Sequence, residues 1–244
     1  MLTTRPSCHT CTIRRYSIFQ DCSPEELLLF DKSKTCVEYK KGQNIFYAGQ
    51  HPVGLYHLQF GKVKIYKTNG DGREHIIRLA KPGDVLGYRA LLGEEEYTAS
   101  AMTLENSVIC CIDKDIFLKA VHTNPRIRFK IMTFLCRELG SAENRIMSLA
   151  QKTVRERLAE ILLTLRHKYG MDKEDETLLN ISLTVKDLAN YIGVARETVV
   201  RTISDFKEEQ LIAMGDHRIR ILNLKAMERI SNIYDNPEQV SLSA

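Results

Sequence analysis

Short apolar stretches separated by turn residues fill the chain between residues 36 and 123. The stretches at residues 55–59, 63–67, 75–79, 98–104 and 107–112 are rich in β-branched and aromatic residues. In one of them Val63 and Ile65 alternate with Lys64, which is typical of a half-buried strand. Many short strands with regular turns predict a sandwich, a jelly roll or a barrel.

Two local motifs add detail to this half of the chain. TNGDGRE, residues 68–74, predicts a hairpin because Asn-Gly and Asp-Gly accept positive φ. SPEELLLFDK, residues 23–32, predicts a short helix with Ser23 as its N-cap and Pro24 at its first position. This helix and the polar, cysteine-bearing residues before it form one predicted N-terminal segment, residues 1–35.

A long amphipathic helix is predicted over residues 124–151. Its apolar residues recur at spacings of three and four, and they begin with Ile127. The stripe runs for about seven turns, which exceeds what a small β-barrel covers, so a dimer interface is favoured over packing within one domain. The predicted dimer contacts are Ile131, Leu135, Leu139, Ala142, Ile146 and Leu149.

The C-terminal residues 152–244 form a second predicted unit. A first helix ends near Gly170, and residues 181–183 predict a short strand. Two helices in tight succession follow, and residues 214–223 predict a hairpin. In the first of these helices Thr184 and Asp187 form a capping box, and Gly193 permits a sharp turn after it. This pattern predicts a helix-turn-helix with a wing.

The second of these helices, residues 195–208, carries the candidate chemistry. It buries Val199, Ile203 and Phe206, which leaves its N-terminal polar residues exposed. Arginine presents a planar fork to guanine, and glutamate accepts from the amino group of cytosine. Glu197 and Arg201 are four residues apart and share one face of the helix, so either they read neighbouring base pairs or they form an ordinary surface ion pair.

The predicted DNA-binding set extends beyond these two residues. It comprises Arg196, Glu197, Thr198, Val200, Arg201, Thr184, Lys186 and Arg218. In the hairpin, His217, Arg218 and Arg220 are either a basic wing that contacts phosphate or a solvated turn.

Composition agrees with an ordinary folded globular protein and argues against other classes. The net charge is +4, 43% of the residues are hydrophobic, and no apolar run reaches the length of a membrane span. The N-terminus lacks the apolar core of a signal peptide, and seven cysteines, an odd number, argue against a secreted disulfide framework. A cytoplasmic protein is therefore expected. The phosphate-loop, HExxH and GxSxG motifs of enzymes are absent, so no enzymatic activity is expected.

Along essentially its whole length the chain resembles the Crp/Fnr family of bacterial transcription regulators. The resemblance rests on GQNIFYAGQ, LYHLQFGKVKIYKTNGDGRE and IIRLAKPGDVLGYRALLG in the β-region and on VARETVVRTISDFKEEQLI near the end. It implies an α+β fold in which a cyclic-nucleotide-binding-like β-roll (36–123) precedes a dimerisation helix (124–151) and a winged helix-turn-helix (152–244). It also implies a homodimer that binds a palindromic operator with a TG/GA-type half-site. Contact with RNA polymerase, typical of an activator, is expected.

The effector region departs from the cyclic-nucleotide pattern of this family. Members that bind cyclic nucleotides have Gly-Glu after the Pro-Gly-Asp turn and then Arg-Ser or Arg-Thr, whereas this chain has Gly87-Tyr88 and Tyr97-Thr98. Arginine is the natural phosphate partner, and only Arg89 lies nearby. Cyclic AMP is therefore not expected in its usual pose. Either another small molecule binds here, or Tyr88 and Tyr97 fill the pocket.

The cysteines suggest a second way in which the protein could sense a signal. Cys8, Cys11 and Cys22 are followed by Cys110, which aligns with a cluster-binding cysteine of the family's oxygen-sensing members. Four thiolates hold an iron–sulfur cluster, although the family's third cysteine would fall near Ser17. A zinc site is a second possibility. In a third possibility the cysteines bind nothing: Cys110 and Cys111 are strand residues, Cys36 and Cys136 are core residues, and Cys8 and Cys11 lie in a disordered tail. The cofactor is left unknown, and the alternative functions are an oxygen- or nitric-oxide-responsive regulator and a ligand-binding module without DNA binding.

Overall fold

The computed structural model describes residues 7–215 and 218–231 of the 244-residue chain. The chain divides into two compact units, Met1–Leu135 and Cys136–Ala244. Within the described residues, no helix combines the length and the apolar character that crossing a membrane requires.

Two four-stranded antiparallel sheets form the first unit. One has the strand order β1-β8-β3-β6 and the other β2-β7-β4-β5. The strands are β1 Thr35–Tyr39, β2 Asn44–Phe46, β3 Gly54–Phe60, β4 Val63–Thr68, β5 Glu74–Ala80, β6 Val85–Leu86, β7 Ser100–Thr103 and β8 Ser107–Asp113. Leu58 and Ile109 of the first sheet and Val63 and Ala101 of the second share one buried cluster. The cluster joins the two sheets, and the jelly-roll prediction is confirmed.

Helices cover one face of the first sheet. They are α1 Pro24–Ser33, α2 Tyr88–Gly93, α3 Lys114–Thr123 and α4 Pro125–Gln151, and a short 3-10 helix, Thr12–Tyr16, precedes them. Phe30 of α1 and Phe117 of α3 pack with Leu55 of β3 and Ile112 of β8. In these strands Leu58 and Ile109 point to the opposite face, into the cluster between the sheets. Ser23 is the N-cap of α1, as predicted, and it also forms a capping box with Glu26.

Ile131 corrects the predicted dimer seam. Its side chain is 7% exposed and packs with Ile127 in the cluster beneath α1 and α3. Because α4 begins by packing within its own unit, its first two apolar turns belong to that core. A spacing of three and four does not show which partner covers a helix face.

The strand alternation predicted for residues 63–67 is wrong at Lys64. This side chain is 7% exposed, and its Nζ pairs with Glu74 Oε2 at 2.9 Å. Lys64 lies on β4 between β7 and β5, so its aliphatic stem is enclosed while Glu74 neutralises its charge. Strands β1, β2 and β6 were not predicted, because short strands carry little periodic signal.

The cysteines differ from the alternatives expected from the sequence, none of which included a disulfide. Cys36 of β1 and Cys110 of β8 form a disulfide, and Cys136, expected in a core, is exposed on α4. Cys8 is packed rather than in a loose tail, since its backbone N–H donates to Asp31 Oδ1 at 2.7 Å.

The second unit contains helices and a two-stranded hairpin. Its elements are α5 Val154–Tyr169, α6 Val185–Ile192, α7 Arg196–Glu208, β9 Ile212–Gly215, β10 Arg218–Ile221 and α8 Leu224–Ser231. The predicted hairpin is therefore confirmed. Residues 181–183 do not form the predicted strand. The bridges fall just before them, between Met171 and Leu179 and between Leu178 and Arg220.

Candidate nucleic-acid interface

The turn between α6 and α7 is set by local sequence. Thr184 Oγ1 accepts from the Asp187 N–H at 3.0 Å and donates to Asp187 Oδ2 at 2.7 Å, which starts α6. Gly193 ends it at a φ of 80°, a left-handed conformation that suits glycine. The helix-turn-helix therefore follows from a cap and a stop that are both readable in the sequence.

Helix α7 presents a polar N-terminal face. Its opposite face buries Val199, Ile203 and Phe206 against the second unit. The candidate base-reading residues Arg196, Glu197, Thr198, Val200 and Arg201 are all exposed. The structure therefore brings five of the eight predicted DNA-binding residues together on the first two turns of one helix.

Glu197 and Arg201 do not pair with each other. Within residues 7–215 and 218–231, neither side chain forms a hydrogen bond or an ion pair, and the same holds for Arg196. The surface ion pair considered from the spacing is therefore not formed. Two guanidinium groups and one carboxylate are available to a duplex, which provides the groups needed for guanine and cytosine edges.

The remaining three predicted DNA-binding residues lie outside α7. Lys186 is exposed at the start of α6, whereas the Thr184 hydroxyl is occupied by capping. Arg218 donates to Asp172, a hydrogen bond that holds the pKa of this carboxyl below its ordinary value, and Arg220 Nε donates to Asp175 at 2.8 Å. His217 lies outside the described residues. The wing arginines are thus held by carboxylates in this structure.

Two arginines that were not predicted hold the end of α6. Arg145 of α4 donates to the Tyr191 carbonyl, and its guanidinium lies 4.3 Å from the centroid of the Tyr191 ring. Arg157 Nη1 of α5 donates to the Ile192 carbonyl at 3.1 Å. Cations are favourable at a helix C-terminus, where carbonyls lack intrahelical partners. Both arginines therefore fix the turn from which α7 begins, and no sequence motif marks them.

We expect Arg145→Met to weaken binding to duplex DNA up to about tenfold without changing the salt dependence of binding. A hydrogen bond from a charged group is worth about 1.5–3 kcal/mol, and part of this holds α7 in place. The measurement is duplex affinity at several salt concentrations, together with hydrogen exchange at residues 193–198. Arg137→Met, an exposed arginine on the same helix, is the control. A smaller salt slope in the Arg145 variant would instead identify Arg145 as a phosphate contact.

The predicted effector residues have different surroundings in the structure. Tyr97 is buried and stacks on Phe46 with centroids 4.0 Å apart. Its ring lies so close to Gly87 that a β-carbon there would be 3.1 Å from Tyr97 Cε1. Tyr88 packs edge-on against Phe134 at 4.8 Å, whereas Arg89 and Thr98 are exposed and hydrogen-bonded to each other. Tyr97 thus belongs to the cluster between the two sheets, whereas Tyr88 packs against the cluster beneath the helices. The choice between a bound small molecule and a tyrosine-filled pocket stays a prediction.

The predicted metal ligands are not brought together. In the part of the chain that the structure describes, no three His, Cys, Asp or Glu side chains form a group that could hold a metal ion. Cys110 is bonded to Cys36 and offers no thiolate, while burial raises the pKa of Cys22 to about 12. The set Cys8, Cys11, Cys22 and Cys110 therefore does not fit an iron–sulfur cluster or a zinc ion in this structure.

Helix α4 leaves a seam of apolar side chains uncovered. Leu139 is 62% exposed and Ile146 is 65% exposed. Leu135, Ala142 and Leu149 are exposed as well, and Met132 continues the seam in place of Ile131. From Met132 to Leu149 the spacings alternate between three and four, which is the heptad pattern of a coiled coil.

Comparison with known proteins identifies two domains. Residues 36–124 match the cyclic nucleotide-binding domain, and residues 156–230 match the Crp-like helix-turn-helix domain. The Fumarate and nitrate reduction regulatory protein of Vibrio cholerae is 27% identical over 93% of this chain and 90% of its own length. A CRP-like cAMP-activated global transcriptional regulator of Mycobacterium tuberculosis is 26% identical over 89% of this chain and 97% of its own length.

A solved structure supports the fold. The crystal structure of a transcriptional regulator of the Crp/Fnr family from Eubacterium rectale superposes with a TM-score of 0.73 at 18% identity. The alignment covers 89% of this chain and 99% of that chain. The α+β fold predicted from the sequence is thereby confirmed.

Proposed function

Because the chain belongs to the Crp/Fnr family of DNA-binding transcription regulators, we propose that it acts as a homodimer on a palindromic operator. The proteins that it resembles are transcription regulators and not enzymes, which confirms the expectation of no enzymatic activity. The proposed domains have the predicted boundaries: an N-terminal segment (1–35), a β-roll for the effector (36–123), a dimerisation helix (124–151) and a winged helix-turn-helix for DNA (152–244).

One observation carries the proposal of sequence-specific binding. Arg196, Glu197 and Arg201 are exposed together at the N-terminal end of α7, and none of them is engaged with another described residue. In a helix-turn-helix this end of the second helix enters the major groove. Arg196 and Arg201 would donate to guanine or to phosphate, and Glu197 would accept from cytosine. Lys186 and Arg218, which pairs with Asp172 in this structure, are proposed to contact the phosphate backbone of DNA.

The homodimer is supported by the seam on α4. An apolar stripe that remains exposed on a long helix is favourable only when another surface covers it. A second copy of the same helix offers the matching heptad pattern, and a two-fold axis would give the two α7 helices symmetric half-sites. Contact with RNA polymerase, the role of an activator and a cytoplasmic location remain predictions.

Selection of duplexes from a random pool tests this function. The full chain should enrich sequences with two-fold symmetry and G·C pairs at equivalent positions of both half-sites, because the two recognition helices are identical. Enrichment of a single, non-repeated motif would contradict the proposed dimer. A pool that stays random after repeated rounds would contradict sequence-specific binding and favour a ligand-binding module without DNA binding.

Control of the regulator is proposed to act through the β-roll, by a small molecule other than cyclic AMP in its usual pose. The relative from Mycobacterium tuberculosis is cAMP-activated by name, but here Tyr97 stands where a phosphate-binding arginine is expected, and its ring packs against Gly87. Cyclic AMP is therefore expected to leave the affinity for the selected duplex unchanged. An iron–sulfur cluster is not proposed as the sensor, because no three His, Cys, Asp or Glu side chains of the described residues form a group that could hold a metal.

A further inference from the structure

The disulfide between Cys36 and Cys110 joins two residues that face each other on neighbouring strands. They are register partners in the antiparallel pair of β1 and β8. Directly opposite residues of such a pair project their side chains from the same face of the sheet. The bond can therefore open and close without any change in strand register.

The bond also fastens β1, the strand at one edge of its sheet. In the sheet β1-β8-β3-β6, strand β8 is the one described neighbour of β1. Five residue pairs and the disulfide fasten β1 to the sheet, and Cys36 and Cys110 are separated by 74 positions in sequence. Opening the bond thus leaves an edge strand that is held by its backbone ladder and local packing alone.

A third polar residue lies in the same row. His57 of β3 is the register partner of Cys110 on its other side. Its side chain is 6% exposed, and Nε2 has no hydrogen-bond partner among the described residues. Burial lowers the pKa of His57 to about 4, so the imidazole is neutral at neutral pH. Gln59 Oε1 of the same strand lies 3.8 Å from Cys110 Sγ and accepts the S–H that Cys110 presents once the bond is open.

Three of the other thiols are less suited to this chemistry. Burial raises the pKa of Cys22 to about 12 and that of Cys111 to about 11, and it also raises the pKa of Cys8. The thiolate is the reactive form, so these three are poor nucleophiles at neutral pH. Cys136 is exposed on α4, away from the pair in sequence and in element.

We propose that Cys36 and Cys110 form a reversible thiol–disulfide site of the β-roll, with small-molecule thiols and disulfides as its co-reactants. Cys36 is partly exposed whereas Cys110 is buried, so an incoming thiolate attacks Cys36 Sγ. The sulfur–sulfur bond breaks, Cys110 leaves as a thiolate and takes up a proton, and the incoming sulfur is bonded to Cys36. A second thiolate then attacks the incoming sulfur, releases Cys36 and departs as the small-molecule disulfide.

This site goes beyond the proposed function and does not depend on it, because its chemistry is measured without DNA. In the reducing cytoplasm expected from the sequence, disulfides are typically redox-sensing rather than structural. The oxidation state of this cysteine pair can therefore act on the β-roll without a bound ligand.

The test uses the full chain in buffers of reduced and oxidised glutathione at a range of ratios, followed by rapid maleimide labelling and peptide mass analysis. The Cys36 and Cys110 peptides should change together from linked to labelled as the thiol fraction rises, and Cys136→Ser should leave this transition unchanged. The oxidised chain should melt at least about 5 °C higher than the reduced chain. A pair that never links, or that resists excess thiol in the folded chain, overturns the proposal.

Single variants test where the incoming thiol attacks. Cys110→Ser treated with oxidised glutathione should form a mixed disulfide at Cys36. Cys36→Ser should form at least about tenfold less adduct at Cys110, because that sulfur is buried. Equal adduct at both positions overturns the assigned direction of attack. The wild-type titration stands as the measurement if either variant fails to fold.

Discussion

Leu139→Asp should convert the proposed homodimer to monomers and abolish binding to the proposed operator. Leu139 lies in the middle of the exposed seam of α4, flanked by Leu135 and Ala142 at heptad spacing. A dimer would bury this position twice, once in each copy, and an unpaired carboxylate in an apolar seam costs several kcal/mol per site. In the proposed complex both half-sites contribute to the affinity, so monomers should lose operator binding.

Light scattering measures this change directly. The expected mass falls from twice 28.0 kDa to the 28.0 kDa of one chain. Ser141→Asp, which places the same carboxylate on the exposed side of α4 outside the seam, is the matched control and should remain dimeric. A Leu139 variant that keeps the dimer mass would move the interface to another surface.

Arg201→Ala should weaken binding to the selected operator by about 1–3 kcal/mol, or about 5- to 150-fold, and should relax the preference at one base pair of each half-site. The guanidinium is exposed on α7 and unengaged within the described residues. A base contact of this kind carries sequence information, so its loss reduces discrimination as well as affinity.

Competition with duplexes substituted at single positions measures the change in preference. Lys207→Ala, an exposed cation near the other end of α7, is the control and should affect affinity much less. Equal weakening for every sequence, together with a salt slope reduced by about one, would identify Arg201 as a phosphate contact.

The helix-turn-helix could be predicted because its signals are local. Thr184, Asp187 and Gly193 specify where one helix starts and stops, and the spacing of Val199, Ile203 and Phe206 gives the buried face of the next. A cap, a stop and a period of 3.6 depend on neighbouring residues alone. The exposed set of base-reading candidates followed from that period.

The parts that could not be predicted depend on contacts distant in sequence. Ile131 has the same spacing as the seam residues, and only the packed cluster shows that it belongs to the core. Lys64 is buried because Glu74 on the next strand neutralises it. The link between Cys36 and Cys110 depends on strand register, and Arg145 reaches a carbonyl 46 positions away. Residue type alone does not reveal such partners.

The most direct test of sequence-specific DNA binding is a fluorescence anisotropy titration of the full chain. The selected palindromic duplex is compared with a scrambled duplex of the same composition at several salt concentrations. The expected result is a steep salt dependence and an affinity about 10³-fold or more higher for the palindrome. Equal affinity for the two duplexes at every salt concentration would contradict the reading of base edges by α7.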